Sequence, residues 1–251
     1  MRNGLLVGVA ALALVLAGCG AAAPGPPAPS VGTRDDRALP ADVRMLPLVD
    51  DHGRATSLAA FHGRIVVISD MMTLCQETCP LDTANVVATA RAVTAAGLGD
   101  RIEFASITVD PERDTPARLA AYRALFDPPP ADWTVLTGSP DTLNRLWRFL
   151  GVYHQKVPET GPAPKDWLTG RPLTYDVTHS DLVFFVDADG TDRFTLDGAG
   201  HVGAGDRLPA ALGSFLNAEG RRNLVHPESG TWTVPQALDV LSWLAGQRIA
   251  G

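Results

Sequence analysis

The chain has 251 residues, 45% of them hydrophobic and 20% charged, a balance that excludes a disordered chain or a collagen-like repeat. Its 28 acidic residues outnumber 21 basic ones, giving a formal net charge of −7, and no Lys/Arg-rich run is present, so nucleic acid is not an expected partner. Three cysteines are too few for a disulfide scaffold.

The first segment reads as an address. Met1-Arg2-Asn3 carries one positive charge and is followed by an apolar run from Gly4 to Val15. That run is too short for a bilayer core of about 30 Å, which takes roughly 20 residues, and it fits the apolar region of a signal peptide. It ends in Leu16-Ala17-Gly18-Cys19, which resembles the lipobox of bacterial lipoproteins. The resemblance implies loss of residues 1–18, a lipid on Cys19, and a cell-membrane anchor on the extracytoplasmic face, in an oxidising compartment. An ordinary secretory signal is the alternative. Gly20 to Arg37 is Pro- and Ala-rich with no hydrophobic period, so residues 19–42 are expected to form a semi-extended tether of about 3 Å per residue.

Residues 43–251 are expected to be the globular domain. Val43 to Val49 and Ala55 to Leu58 read as strands around an Asp50-Asp51-His52-Gly53 turn. Ile65 to Ser69 is a buried strand of β-branched residues. Pro80 to Ala96 is helical and stops at Gly97; Ile102 to Val109 is a strand, and Thr115 to Phe126 a helix with Pro116 in its first turn. Trp133 to Leu136 is a short strand, Pro140 to Leu150 a helix after Ser139, and Asp181 to Val186 a strand that turns at Asp187-Ala188-Asp189-Gly190 into Thr191 to Leu196. Gly198 to Trp232 is glycine-rich, carries a helix from Leu208 to Asn217, and reads as an insertion before a last helix from Pro235 to Ala245. The alternation predicts an α/β fold, a mixed sheet with helices on both faces after an N-terminal hairpin, in the element order of a thioredoxin-like fold.

The chemistry concentrates between the first core strand and its helix, at Thr73-Leu74-Cys75-Gln76-Glu77-Thr78-Cys79-Pro80. The carboxyl end of a strand in an α/β sheet is where ligand sites form. Pro80 suits a first helical position, which makes Cys79 the expected N-cap and leaves Cys75 in the loop. Free N–H groups and the helix dipole there favour a thiolate. Two such sulfurs can close on one soft ion, Cu(I) or Zn(II), or on each other. A static disulfide bracing the loop is the bland alternative. Of six histidines, His52, His62, His154, His201 and His226 read as solvated or locally bonded. His179, in Tyr175-Asp176-Val177-Thr178-His179-Ser180, enters an apolar strand expected to face the cysteine loop, and neutral imidazole is a common copper ligand.

These residues are similar to the Sco/SenC family of copper proteins that serve cytochrome c oxidase assembly. The T-x-C-x-x-x-C-P pattern spans Thr73 to Pro80, V-D-P-x-R-D-T-P spans Val109 to Pro116, and the H-S step is His179-Ser180; Gly151-Val152-Tyr153 also resembles the family. The resemblance runs from about Val43 to Leu196 plus the final helix. It implies that Cys75, Cys79 and His179 are copper ligands, with Cys75 and Cys79 also a redox pair. It implies a metallochaperone that delivers copper to, or prepares the thiols of, the dinuclear site in the copper-site subunit of cytochrome c oxidase. The chain departs from the family in having Thr178 where Asp is common before the His, so a carboxylate that orients the imidazole is missing unless Asp176 or Asp181 replaces it. Gln76 replaces a usual Pro, and Asp70-Met71-Met72 replaces an aromatic approach. The methionines are core filler or thioether ligands. Asp114 is expected to cap the next helix, and Asp110 and Arg113 to meet a partner or steer the thiols. Two other readings stay open: a metal-independent thiol–disulfide oxidoreductase using the same pair, and a redox or copper sensor.

Overall fold

The computed structural model describes residues 23–159, 162–203, 208–227 and 230–251; the signal segment and Cys19 lie outside the described residues. Its elements are β1 (Thr33–Ala38), α1 (Ala41–Arg44), β2 (Leu48–Asp50), β3 (Ala55–Thr56), β4 (Ile65–Met71), α2 (Cys79–Ala95), β5 (Ile102–Thr108), α3 (Pro116–Arg123), β6 (Trp133–Gly138), α4 (Pro140–Leu150), β7 (His154–Pro158), β8 (Tyr175–His179), β9 (Leu182–Val186), β10 (Thr191–Asp197), α5 (Ala210–Phe215), α6 (Ala218–Val225) and α7 (Val234–Ala245). An eight-stranded sheet has the order β1-β10-β9-β4-β5-β6-β2-β3. β4, β5 and β6 are parallel, and the flanking strands are antiparallel. Among the described residues no helix is long and apolar enough to cross a membrane.

β4 lies at the centre because its side chains are apolar on both faces, as a doubly covered strand requires. Ile65, Val67 and Met71 pack with α2, α3 and α7, whereas Val66 and Ile68 pack with α1 and α4. Helices therefore cover both faces, as the alternation predicts. α4 starts at Ser139, whose hydroxyl accepts from the Thr142 N–H. It buries Leu143, Leu146, Trp147 and Leu150, one helical stripe in which each side chain is worth roughly 1.5–3 kcal/mol.

Several elements differ from expectation. The tether gives way to structure at Thr33: β1 pairs antiparallel with β10 as an edge strand. Its side chains are mostly polar and exposed, so it carries no apolar period to read. Val43 lies in the one-turn helix α1 after Pro40, and Pro47 confines β2 to Leu48–Asp50. The helix expected over 208–217 is shorter, α5, and ends where Leu216 turns extended; a second helix the sequence reading lacked, α6, follows, capped by Asn217, which accepts from the Glu219 and Gly220 N–H groups. A separate hairpin of β7 and β8 was not legible at all, and it carries His179.

Candidate metal centre

β4 delivers the chain into the loop 73–78 at the carboxyl end of the sheet, and α2 begins at Cys79 with Pro80 behind it. The N-cap is Thr78, one residue before the expected position, and its side chain makes no capping bond. The Cys79 N–H instead donates to the Cys75 sulfur at 3.3 Å. The sequence pattern treats the two sulfurs alike; the structure sets them apart. The neighbouring Cys79 group and then His179 hold the Cys75 thiol well below its usual range. Burial, and then the Cys75 thiolate, push Cys79 well above it. Both cysteines are free thiols and both are buried.

His179 is the last residue of β8, and its Nε2 lies 3.0 Å from the Cys79 sulfur. The donor atoms of Cys75, Cys79 and His179 all lie within 4.8 Å of one another, and these three could hold a metal ion. The other histidines are not part of this group. His154, for example, sits across the hairpin from His179 and pairs with Asn144.

The carboxylate that orients the imidazole is neither Asp176 nor Asp181. Asp70, at the end of β4, has Oδ2 2.7 Å from His179 Nδ1 and accepts from the Leu182 N–H through Oδ1. Its side chain is wholly buried. The Ser180 carbonyl is 2.6 Å from the same Nδ1, so two acceptors keep a proton there and aim Nε2 at the sulfur. Burial works against charge on His179, but Asp70 and the Cys75 thiolate outweigh it and hold the imidazole well above its usual range. Asp181 stands 4.0 Å from Nδ1 and accepts instead from the Thr78 hydroxyl. Thr178 is exposed, on the other side of the strand from His179. The signal for Asp70 was a charged residue inside an apolar strand, which asks for a buried partner.

Met71 and Met72 are core residues, Met72 in the cluster that also holds Cys75 and Cys79. The Val109–Pro116 motif acts as a two-sided clamp. Asp114 does not cap α3; the Thr115 hydroxyl does. Asp114 is buried and accepts from the Thr73 N–H, the Thr73 hydroxyl and the Thr108 hydroxyl, which fixes the start of the cysteine loop. Burial, then the charge of Asp110, raises it to about 6. Asp110 pairs with Arg113 and accepts from the Tyr175 hydroxyl, while Arg113 donates to the Tyr175 carbonyl and lies 3.8 Å over its ring. One loop thus holds the thiols and the strand that carries His179. Trp167, which sequence reasoning missed, reaches back from between β7 and β8 to donate to the Thr73 carbonyl at 2.7 Å. Its neighbour Asp166 is fixed by both terminal nitrogens of Arg118.

The SCO1/SenC family model matches residues 42–202. The "Protein SCO2 homolog, mitochondrial" of Bos taurus is 32% identical over 59% of this chain and 52% of its own length. The "Protein sco1" of Schizosaccharomyces pombe is 27% identical over 67% and 58%. The chain thus spans little more than half the length of these two curated relatives. A protein of Stutzerimonas stutzeri named for copper binding is 28% identical over 73% of this chain and 79% of its own. A SCO1/SenC family lipoprotein from Bacillus anthracis superimposes with a TM-score of 0.51 at 20% identity, over 72% of this chain and 93% of that one, a likeness of fold. With the family's motifs in order and its model matched from the one-turn helix to the start of the insertion, the chain belongs to the SCO1/SenC family.

Proposed function

We propose that this protein binds copper through Cys75, Cys79 and His179 and serves assembly of the dinuclear copper site of cytochrome c oxidase, by delivering the ion or by preparing the thiols of the copper-site subunit. The observation that carries the reading is the convergence of two thiols and one imidazole at the end of β4. A first-row ion sits about 2.3 Å from sulfur and 2.0–2.1 Å from nitrogen, so donors already within 4.8 Å of one another need draw in only slightly. Two sulfurs and a nitrogen suit Cu(I), and the imidazole adds the donor type that Cu(II) prefers. Copper is the cargo here; the chain's work is to present donors and move protons. Cys75 is held toward thiolate, Cys79 keeps its proton, and Asp70 holds the second imidazole proton on Nδ1. Binding therefore requires the Cys79 thiol and His179 Nε2 to give up protons. The name of the Stutzerimonas stutzeri relative supports copper as the ion.

The deciding experiment is metal analysis of the reduced protein and of its Cys75→Ser/Cys79→Ser variant. Copper bound at one equivalent and lost in Cys75→Ser/Cys79→Ser supports the reading; copper retained by the double variant refutes it. An anchor at Cys19 on the extracytoplasmic face belongs to the same proposal, supported by the lipobox-like Leu16–Cys19. Fatty-acid label that persists in Cys19→Ser would remove it.

A second reading, thiol–disulfide exchange, is favoured by the asymmetry of the pair. Cys75 has the character of an attacking thiolate and Cys79 that of a buried resolving thiol. It is compatible with the first, since preparing a target's cysteines requires such a pair.

A further inference from the structure

The family model ends at residue 202, yet the segment beyond it reaches the cysteine loop. Asn217 donates its N–H to the Gln76 carbonyl at 3.0 Å and its side-chain amide to Glu77 Oε1 at 2.6 Å. Its remaining oxygen caps α6. Gly220, in the first turn of α6, lies so close that a Cβ there would stand 2.2 Å from the Gln76 carbonyl oxygen and 3.1 Å from the Glu77 Cα. Phe215 of α5 packs with Leu74, the residue before Cys75, and with Leu173. Leu212 and Leu216 are buried in the main core. The two helices therefore sit on the cysteine loop by shape, hydrogen bonds and an apolar seat. Behind them Cys75 is 7% exposed and Cys79 1%.

A gap remains beside this cover. A cavity of about 220 Å³ is lined by Thr78, Asp181, Gly200, Glu219 and Asn223 among others, well above the roughly 10–15 Å³ that one water needs. Thr78 lines this cavity, and its hydroxyl is 4.0 Å from the Cys75 sulfur. An ion or a small molecule fits such a space; the surface of a folded protein does not.

We propose that α5–α6 is a cap that determines which partners reach the thiol pair, with Asn217 and Gly220 as its latch: small species pass while it is seated, and a protein partner gains Cys75 only when it lifts. The proposal rests on the reading of Cys75 and Cys79 as an exchange site, but its test needs no metal. The reduced full chain is treated with N-ethylmaleimide, or with the same maleimide short-linked to a folded carrier protein. Labelling of the Cys75–Cys79 peptide is followed by mass spectrometry, which separates it from Cys19. Wild type should react readily with the small reagent and slowly with the large one. Asn217→Ala, which removes the side-chain bond to Glu77 and the cap of α6, should raise the large-reagent rate by about tenfold and the small-reagent rate far less. Gly220→Val should raise it further by forcing α6 off Gln76. Circular dichroism confirms that each variant is folded, and Asn217→Ala serves alone if Gly220→Val is not. Equal acceleration of both reagents, or no change with Asn217→Ala, overturns the cap. Loss of copper binding by the thiol variants is a separate measurement, so failure of either idea is seen independently.

Discussion

Asp70→Asn isolates the group that sequence reasoning did not find. The substitution keeps the shape and leaves an oxygen able to accept from the Leu182 N–H, now 2.8 Å from Oδ1. It removes the charge that sits 2.7 Å from His179 Nδ1 and turns an amide N–H toward a ring nitrogen that should itself be donating. A charged hydrogen bond contributes about 1.5–3 kcal/mol, and both side chains here are almost fully buried, so solvent screens little of it. At about 1.4 kcal/mol per tenfold, the loss corresponds to roughly 10- to 150-fold in copper affinity, which spans the 10- to 100-fold typical of outer groups around metal ligands. The Ser180 carbonyl still accepts from Nδ1, which argues for the lower half. The assay is competition of the reduced protein against a chromophoric Cu(I) chelator, with thermal unfolding of the metal-free variants as the control for folding. The same substitution in His179→Ala should change affinity hardly at all, because Asp70 then has no imidazole to orient. An affinity in Asp70→Asn within about threefold of wild type, or equal losses with and without His179, would show that Asp70 does not act through the imidazole.

Copper binding at neutral pH should release about two protons, from Cys79 and from His179 Nε2, so affinity should rise with pH; calorimetry in buffers of different ionisation enthalpy counts them, and a release near zero would contradict the assigned charge states. Iodoacetamide at mildly acidic pH should modify Cys75 well before Cys79, as the opposite displacements of the two thiols require; peptide mapping reads the order. Asp114, raised to about 6 from 3.8, favours the folded state when protonated. Its contribution is present below about pH 4 and lost as pH rises through 6, at most about 3 kcal/mol. Asp114→Asn should remove that part of the decline in a series of thermal melts from pH 4 to 7. Trp167→Phe should leave the Thr73 carbonyl without its donor and cost about 1–3 kcal/mol, seen as faster hydrogen exchange in the cysteine loop.

The candidate trio was legible as a convergence because its residue types are rare and ordered: two cysteines at a strand end and one histidine before an apolar strand. The core strands and α4 were legible because periodicity and caps are local. What failed was long-range. Pro80 is tolerated at either of the first two helical positions, so the local signal could not decide between Cys79 and Thr78 as the cap. Asp114 carries the composition of a cap, but Thr115 offers a hydroxyl one residue closer, which frees the carboxylate to bind Thr73 across the sheet. Asp70 and Trp167 act on partners 109 and 94 residues away, separations at which no spacing rule operates. The polar β1 was read as tether because an edge strand that earns its place by backbone pairing leaves no apolar stripe.

That edge strand also sets a direction. β10 ends at Asp197 beside Leu182, the end of the sheet where Asp70 and the thiol loop lie, and β1 runs back along it from Thr33, opposite Thr195, to Ala38, opposite Thr191. The N-terminal arm therefore leaves the domain from the rim that bears the thiols, and Gly32 is wedged there against the Thr195 carbonyl, where a Cβ would stand 2.4 Å away. Covalent geometry limits the stretch from residue 19 to residue 33 to about 50 Å, at 3.3–3.6 Å per residue. An anchor at position 19 would therefore join the domain at the rim that bears the thiols and keep that rim within about 50 Å of it.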